Sequence, residues 1–202
     1  TEISNFDKNF LDIDFNPTIK TKLGIGLIWL KVPPDGEKMY AEQLTYDQVA
    51  SRIINYHRPY HNKLKLIMQN TYKKYNCFYH INCHSMQNNA SAMSTQEKGT
   101  LRPDFVIGDR DGTSCNKKFT NLIVTILRDL NYKVVVNDPY KGMELVSAYS
   151  DPNTNKHSLQ IEVNRKLYMD EKTRIKTNGF NALKKNFFVM ANEIKRFLEK
   201  EL

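Results

Sequence analysis

A chain of 202 residues, 40% of them hydrophobic and including ten Phe and eleven Tyr, has the length and apolar content for a packed core, which excludes global disorder and suits one domain over residues 1–202. The longest apolar run, Leu23 to Val32, is too short to cross a bilayer and is broken by Gly24 and Gly26. Thirty Lys plus Arg against 22 Asp plus Glu leave a net charge of +8, but no stacking platform of aromatics interleaved with cations accompanies it, so a small anionic substrate is the expected partner and nucleic acid ranks last.

In chain order, Phe10 to Phe15 alternates with period two and reads as a strand, ended by Asn16-Pro17. Pro33-Pro34-Asp35-Gly36 is a loop with turn chemistry. Thr45-Tyr-Asp-Gln48 is a capping box that starts a long helix, with Val49, Ile53, Ile54, Leu64, Ile67, Met68 and Tyr72 as its apolar face. Pro59 should kink or split that helix, which should stop near Asn76. Cys77 to Asn82 reads as a buried strand followed by Cys83-His84-Ser85, and Gln87 to Arg102 as a long polar loop. Asp104 to Gly108 is a short strand with a sharp turn after it. Thr113-Ser114 should cap a helix from about Asn116 to Leu130. A strand at Lys133 to Val136, an exit loop from Asn137 to Gly142, a strand at Ser158 to Asn164 and a closing helix from Gly179 complete the pattern, with Phe180, Leu183, Phe187, Phe188, Ala191, Ile194 and Leu198 inward on that helix. Strands alternating with helices predict an α/β sandwich with a largely parallel sheet, whose ligands bind beyond the carboxyl ends of the strands. Asn16, His84, Gly108 to Asp111 and Asn137 to Lys141 lie at such ends.

Among the residues that could carry chemistry, His84 opens onto the long polar loop, where it can serve as a metal ligand or a general base. Glu162 shares one strand face with Gln160 and Asn164, opposite Leu159, Ile161 and Val163. A carboxylate among apolar neighbours is either a general base or half of a structural salt bridge, for which Arg165 and Lys141 are the candidate partners. His57 and His61 lie four apart on a helix and could chelate a metal, but Pro59 stands between them, and polar contact that lines a pocket or holds the loop above it is the favoured role. Arg110, in a Gly-flanked turn, can hold a carboxylate through two parallel hydrogen bonds, and Lys141 is a weaker candidate of the same sort; pairing of Arg110 with Asp109 or Asp111 is the alternative. Cys83 beside His84 does not make a nucleophile and base, because neighbours on a strand point to opposite faces. Three cysteines without a CxxC are no disulfide framework and fit a reducing cytoplasm.

Five segments occur in an order that resembles the N-formylglutamate amidohydrolase family: Tyr56-His-Arg-Pro-Tyr-His61, Cys83-His-Ser85, Gly108-Asp-Arg-Asp-Gly-Thr-Ser-Cys115, Asn137-Asp-Pro-Tyr-Lys-Gly142, and His157-Ser-Leu-Gln-Ile-Glu-Val-Asn-Arg165 followed by Leu167-Tyr-Met-Asp-Glu171. The family is similar to the zinc carboxypeptidases. The resemblance implies a three-layer α/β/α sandwich with a mixed, largely parallel sheet. It also implies a cytoplasmic Zn2+-dependent amidohydrolase that converts N-formyl-L-glutamate, or a related N-acyl amino acid, to a carboxylic acid and an amino acid. His84 is then the last zinc ligand, and Glu162 the carboxylate that activates water. The family's first two ligands come from a segment preceding the strand that Phe10 to Phe15 resembles. The expectation is therefore an N-terminally truncated domain whose other ligands lie upstream of Thr1. Where the family often has Asp-x-Asn-Arg, this chain has Asp14-Phe-Asn-Pro17. Asn16, Arg110 and Lys141 are left as the candidates for the substrate. The alternative expectation is a truncated or inactive relative that binds a small anionic ligand or a partner without catalysis.

Overall fold

The computed structural model describes residues 27–32 and 35–201, so the expected strand at Phe10 to Phe15 and the substrate candidate Asn16 lie outside the described residues. The chain forms two units: one comprises residues up to Ile67 together with Ser91–Lys98, the other Met68–Ala90 with Gly99–Leu202.

In the first unit, β1 (Lys31–Val32) and β2 (Glu37–Lys38) pair antiparallel around a turn in which Gly36, at φ 78°, donates its N–H to the Val32 carbonyl. The capping box forms as expected: Gln48 N donates to Thr45 Oγ1, Thr45 N donates to Gln48 Oε1, and α1 (Tyr46–Arg52) follows. Val49, Ala50 and Ile53 are buried with Ile28 and Leu44 packed against them.

The helix is not split at Pro59. Between α1 and α2 (Arg58–Tyr75) the backbone widens into one π-helical segment, Ile53–His57, and continues. The proline ring would clash with the Asn55 carbonyl in a regular α-helix, and its missing N–H would leave that carbonyl unpaired; a wider turn just before the proline relieves both. Ile54 and Ile67, expected on the buried face, are exposed, while Val49, Ile53 and Met68 are buried. The extra residue in the wide turn shifts the phase of the apolar stripe. Asn76, at φ 54°, ends α2 with its N–H on the Tyr72 carbonyl.

The second unit is built on a four-stranded sheet in the order β3 (Phe78–Met86), β6 (Lys156–Asn164), β4 (Phe105–Gly108), β5 (Val134–Val136). β3 runs parallel to β6 and β4 parallel to β5, while β4 and β6 are antiparallel, which makes the sheet mixed and mostly parallel. The other helices of this unit are α3 (Lys117–Asp129), the single-turn α4 (Glu144–Ser147) and α5 (Gly179–Glu201). Asn116 is the true N-cap of α3, its side chain accepting from Phe119 N, in place of the expected Thr113-Ser114. Phe119, Ile123 and Leu127 of α3 join Leu183, Phe187, Met190, Ile194 and Phe197 of α5 over Phe105, Ile107, Leu159, Ile161 and Val163 of the sheet. Phe188 was expected inward but is 63% exposed. Positions 183, 187, 190, 194 and 197 form one stripe at alternating spacings of four and three, and residue 188 stands about 100° of helical rotation from 187.

β6 is covered on both faces. From His157 to Asn164 every residue is buried, although Ser158, Gln160, Glu162 and Asn164 are polar. The opposite face of the strand, Leu159, Ile161 and Val163, belongs to the apolar core. A buried polar row is costly unless its members are hydrogen-bonded, so the fold must supply partners for each of them.

Candidate active site

The parallel pairing of β3 with β6 sets His80 beside Ser158, Asn82 beside Gln160, His84 beside Glu162 and Met86 beside Asn164. Because side chains alternate along a strand, these pairs stand in one row on one face. β3 extends four residues further than the expected Asn82, so that His84 lies within the strand and not after it; the whole nine-residue ladder against β6 holds it there.

His84 Nδ1 lies 3.6 Å from Glu162 Oε1, with the His84 side chain 46% exposed and that of Glu162 only 6%. The imidazole therefore faces the opening while the carboxylate sits beneath it. Glu162 Oε1 also accepts from Gln160 Nε2 at 2.8 Å, Asn82 Nδ2 is 3.0 Å from His84 Nε2, and the same Nδ2 donates to Gln160 Oε1 at 3.4 Å. The two residues expected as salt-bridge partners of Glu162 have other partners. Lys141 pairs with Asp111 at 2.7 Å, and Arg165 reaches Ser85 Oγ at 3.2 Å and Glu171 at 3.9 Å. Cys83 takes the opposite face of the strand from His84, and desolvation pushes its thiol up, away from the thiolate that a nucleophile requires.

The turn after β4 is held by Asp109, which is buried: its Oδ1 accepts from Gly112 N and Asn137 Nδ2 and its Oδ2 from Thr120 Oγ1. Arg110 (φ 54°), Asp111 (φ 58°) and Gly112 (φ 82°) turn the chain through three successive left-handed residues. Arg110 does not pair with Asp109 or Asp111 as the alternative expected. Its Nη1 donates to the Gly142 carbonyl at 3.1 Å and its backbone N–H to the Lys141 carbonyl at 2.9 Å, so it ties this turn to the loop that leaves β5.

That loop presents Tyr140, which sequence reasoning missed. The guanidinium of Arg102, itself buried, lies 5.2 Å from the centre of the Tyr140 ring. Burial raises the pKa of the phenol, the Glu162 carboxylate raises it further, and Arg102 and Arg165 oppose both, so the group stays protonated near neutrality. Gln160 and Asn82 were missed as well, although period-two polarity at His80, Asn82 and His84 was visible in a strand read as buried. In the other unit the His57 and His61 rings lie with centroids 4.1 Å apart and their planes tilted by 31°.

Among the described residues no group of three His, Cys, Asp or Glu side chains is placed to hold a metal ion, and no helix is long and apolar enough to cross a membrane. His84 contributes one imidazole beside one carboxylate, which falls short of the three protein ligands of a hydrolytic zinc centre.

Residues 6–169 match the model of a protein family described as N-formylglutamate amidohydrolase. The chain is 26% identical over 141 residues to an N-formylglutamate deformylase of Pseudomonas putida, an alignment that takes in 68% of this chain and 47% of the relative, so the chain spans about half the length of that protein. It also superposes on the crystal structure of an N-formylglutamate amidohydrolase from Ralstonia eutropha JMP134 with a TM-score of 0.87 and 37% identity, covering 94% of this chain and 68% of the other.

Proposed function

The chain belongs to the N-formylglutamate amidohydrolase family, and from that premise we propose that it is the hydrolytic part of an enzyme that cleaves N-formylglutamate, or a related N-acyl amino acid, to a carboxylic acid and an amino acid. The observation that carries this reading is the His84–Glu162 pair, 3.6 Å apart, with the carboxylate buried and the imidazole at the opening.

In this reaction Glu162 accepts a proton from the attacking water as the new carbon–oxygen bond forms at the acyl carbon. It then gives that proton to the departing nitrogen as the carbon–nitrogen bond breaks, so one carboxyl serves both half-reactions. Zn2+ is proposed as the cofactor, with His84 as one ligand and the others supplied from outside the described residues; when bound, it would polarise the carbonyl and acidify water. Arg110, Lys141 and Asn16 are proposed to recognise the carboxylates of the substrate. The bond from Arg110 to Gly142 uses one of five guanidinium donors and fixes the position of the rest.

The alternative reading is an inactive relative that binds a small anion or a partner without hydrolysis. Formate release from N-formyl-L-glutamate by the protein expressed from its whole gene, with zinc supplied, separates the two. Catalytic release supports the hydrolase. Saturable binding of N-formyl-L-glutamate with no formate released overturns it in favour of the second reading.

A further inference from the structure

The loops that leave β4 and β5 are joined at their base by two side chains. The two strands pair in parallel as far as Ile107 and Val136, and Asn137 N then donates to the Ile107 carbonyl at 2.8 Å. The next rung of a parallel ladder would carry the Asp109 N–H to the backbone carbonyl of residue 137. Asn137 instead leaves the strand at φ 61°, and its side chain supplies the rung: Oδ1 accepts from Asp109 N at 3.0 Å, while Nδ2 donates back to Asp109 Oδ1 at 2.8 Å. Asp109 is buried, and its carboxylate accepts twice more, from Gly112 N at 3.0 Å and from Thr120 Oγ1 at 2.9 Å. One reciprocal pair thus ties the β5 loop to the β4 turn, and the turn to α3.

We propose that Asp109 and Asn137 are positioning residues that lock the two exit loops into one platform and so aim the Arg110 guanidinium at a carboxylate of the substrate. The proposal rests on the reading of Arg110 as a substrate contact. Arg110 and Asp111 follow Asp109 at φ 54° and 58°, a conformation that residues with a Cβ keep only where their surroundings dictate it. Arg110 donates from its backbone N to the Lys141 carbonyl and from Nη1 to the Gly142 carbonyl, so its guanidinium is only as fixed as the β5 loop. Two contacts hold that loop to the turn from below and from above. The upper one, Lys141 with Asp111, has side chains 59% and 60% exposed, and water and salt leave such a pair little strength. The lower one, Asp109 with Asn137, is sheltered, so it sets the geometry. A guanidinium already in place loses less freedom on binding, and that saving appears as affinity.

The test is a double-mutant cycle read by calorimetric titration with L-glutamate, on the protein expressed from its whole gene with zinc supplied. Binding is measured without turnover, so a protein that releases no formate still answers the question. Asn137→Asp keeps the size of the side chain but sets an acceptor against Asp109 Oδ1 where the amide NH2 donates. Arg110→Ala and Asn137→Asp should each raise the Kd by about tenfold or more, the weight of one charge-assisted contact. The double variant should bind within about twofold of Arg110→Ala, because Asn137 acts through Arg110 and has nothing left to position. A merely structural role would instead weaken binding by the same factor in both backgrounds. Wild-type affinity in Asn137→Asp alongside a loss in Arg110→Ala overturns the proposal and leaves Arg110 as the substrate contact, and so do losses that multiply in the double variant. L-glutamate bound alike, or not at all, by wild type and Arg110→Ala overturns the recognition reading and the proposal with it. Should Asn137→Asp fail to fold, Asn137→Gly, which drops the amide and accepts the left-handed φ, takes its place in the same cycle with the same outcomes.

Discussion

Gly108 ends β4 at the point where the loop from β5 crosses it, and replacing it with Ala probes how tightly the two are joined. A Cβ there would stand 2.6 Å from the Lys141 carbonyl carbon, 2.7 Å from Gly142 N and 2.8 Å from the Tyr140 carbonyl oxygen. All three are backbone atoms, so no side chain can rotate away and the loop itself must retreat by the order of 1 Å to reach ordinary contact. That movement strains two bonds that join the turn to the loop, Arg110 N to Lys141 O and Arg110 Nη1 to Gly142 O. Overpacking costs ~1–3 kcal/mol, and two weakened hydrogen bonds add ~0.5–1.5 kcal/mol each. The smaller conformational entropy of an unfolded Ala returns ~0.4–1 kcal/mol. The net expectation is a loss of about 3 kcal/mol, and with a urea m-value of about 2 kcal/mol/M the midpoint of unfolding should fall by about 1.5 M. Urea titration followed by circular dichroism measures this directly. A midpoint within about 0.3 M of wild type, about a fifth of the expected shift, would refute the argument that the loop is seated on bare backbone.

Glu162→Gln keeps the shape of the site but removes the proton acceptor, and formate release in steady-state assays should drop by about 10²–10⁴-fold; undiminished turnover would remove Glu162 as the base. His84→Ala should lower zinc content and activity together, as measured by elemental analysis of the purified protein, while zinc content equal to wild type would leave the ligand assignment without support. Burial lowers the pKa of His157 below its ordinary 6.5, and its buried Nδ1 has no hydrogen-bond partner among the described residues. The unfolded chain therefore binds the proton more readily, so His157 contributes stability that is present above about pH 6.5 and is lost as pH falls from there toward the folded value. His157→Gln should flatten the stability–pH curve in that window, and an unaltered acid limb in thermal melts at pH 5 to 7 would contradict this. Burial also pushes the Cys115 thiol up to about 12, so in the native state it should resist iodoacetamide at pH 8 and react only on unfolding, as peptide mass mapping would reveal.

Local chemistry was legible in the chain itself. The capping box at Thr45, the helix that follows Asn116, the stop at Asn76 and the alternation of Leu159, Ile161 and Val163 with Gln160 and Glu162 each depend on residues a few positions apart, and each formed. The ordered segments from Tyr56 to Glu171 likewise pointed to the family whose model matches residues 6–169. Other features needed the folded chain. Pro59 was read as a kink or a split, and the folded chain meets it with a single wide turn that absorbs the clash without ending the helix. Phe188 was read as buried because its hydrophobicity says nothing of which side of α5 the sheet occupies. The length of β3 was underestimated because His84 and Ser85 are polar, and it was the ladder to β6 that kept them in the strand.

The site itself belongs to this second class. From the sequence, Glu162 was a carboxylate with two equally good explanations, and His84 a candidate metal ligand or general base just after a strand. Both acquire their meaning from a parallel register that brings residues 78 positions apart into contact, while the antiparallel strand β4 pairs with the other edge of β6. The chain determined which groups are present and which face of each strand they occupy, since those depend on side-chain chemistry and the twofold period of the backbone. Only the tertiary structure decided that Asn82, His84, Gln160 and Glu162 stand together on one face of the sheet. Strand order and register are set by the packing of the apolar face against α3 and α5, on the side of the sheet opposite the residues they align.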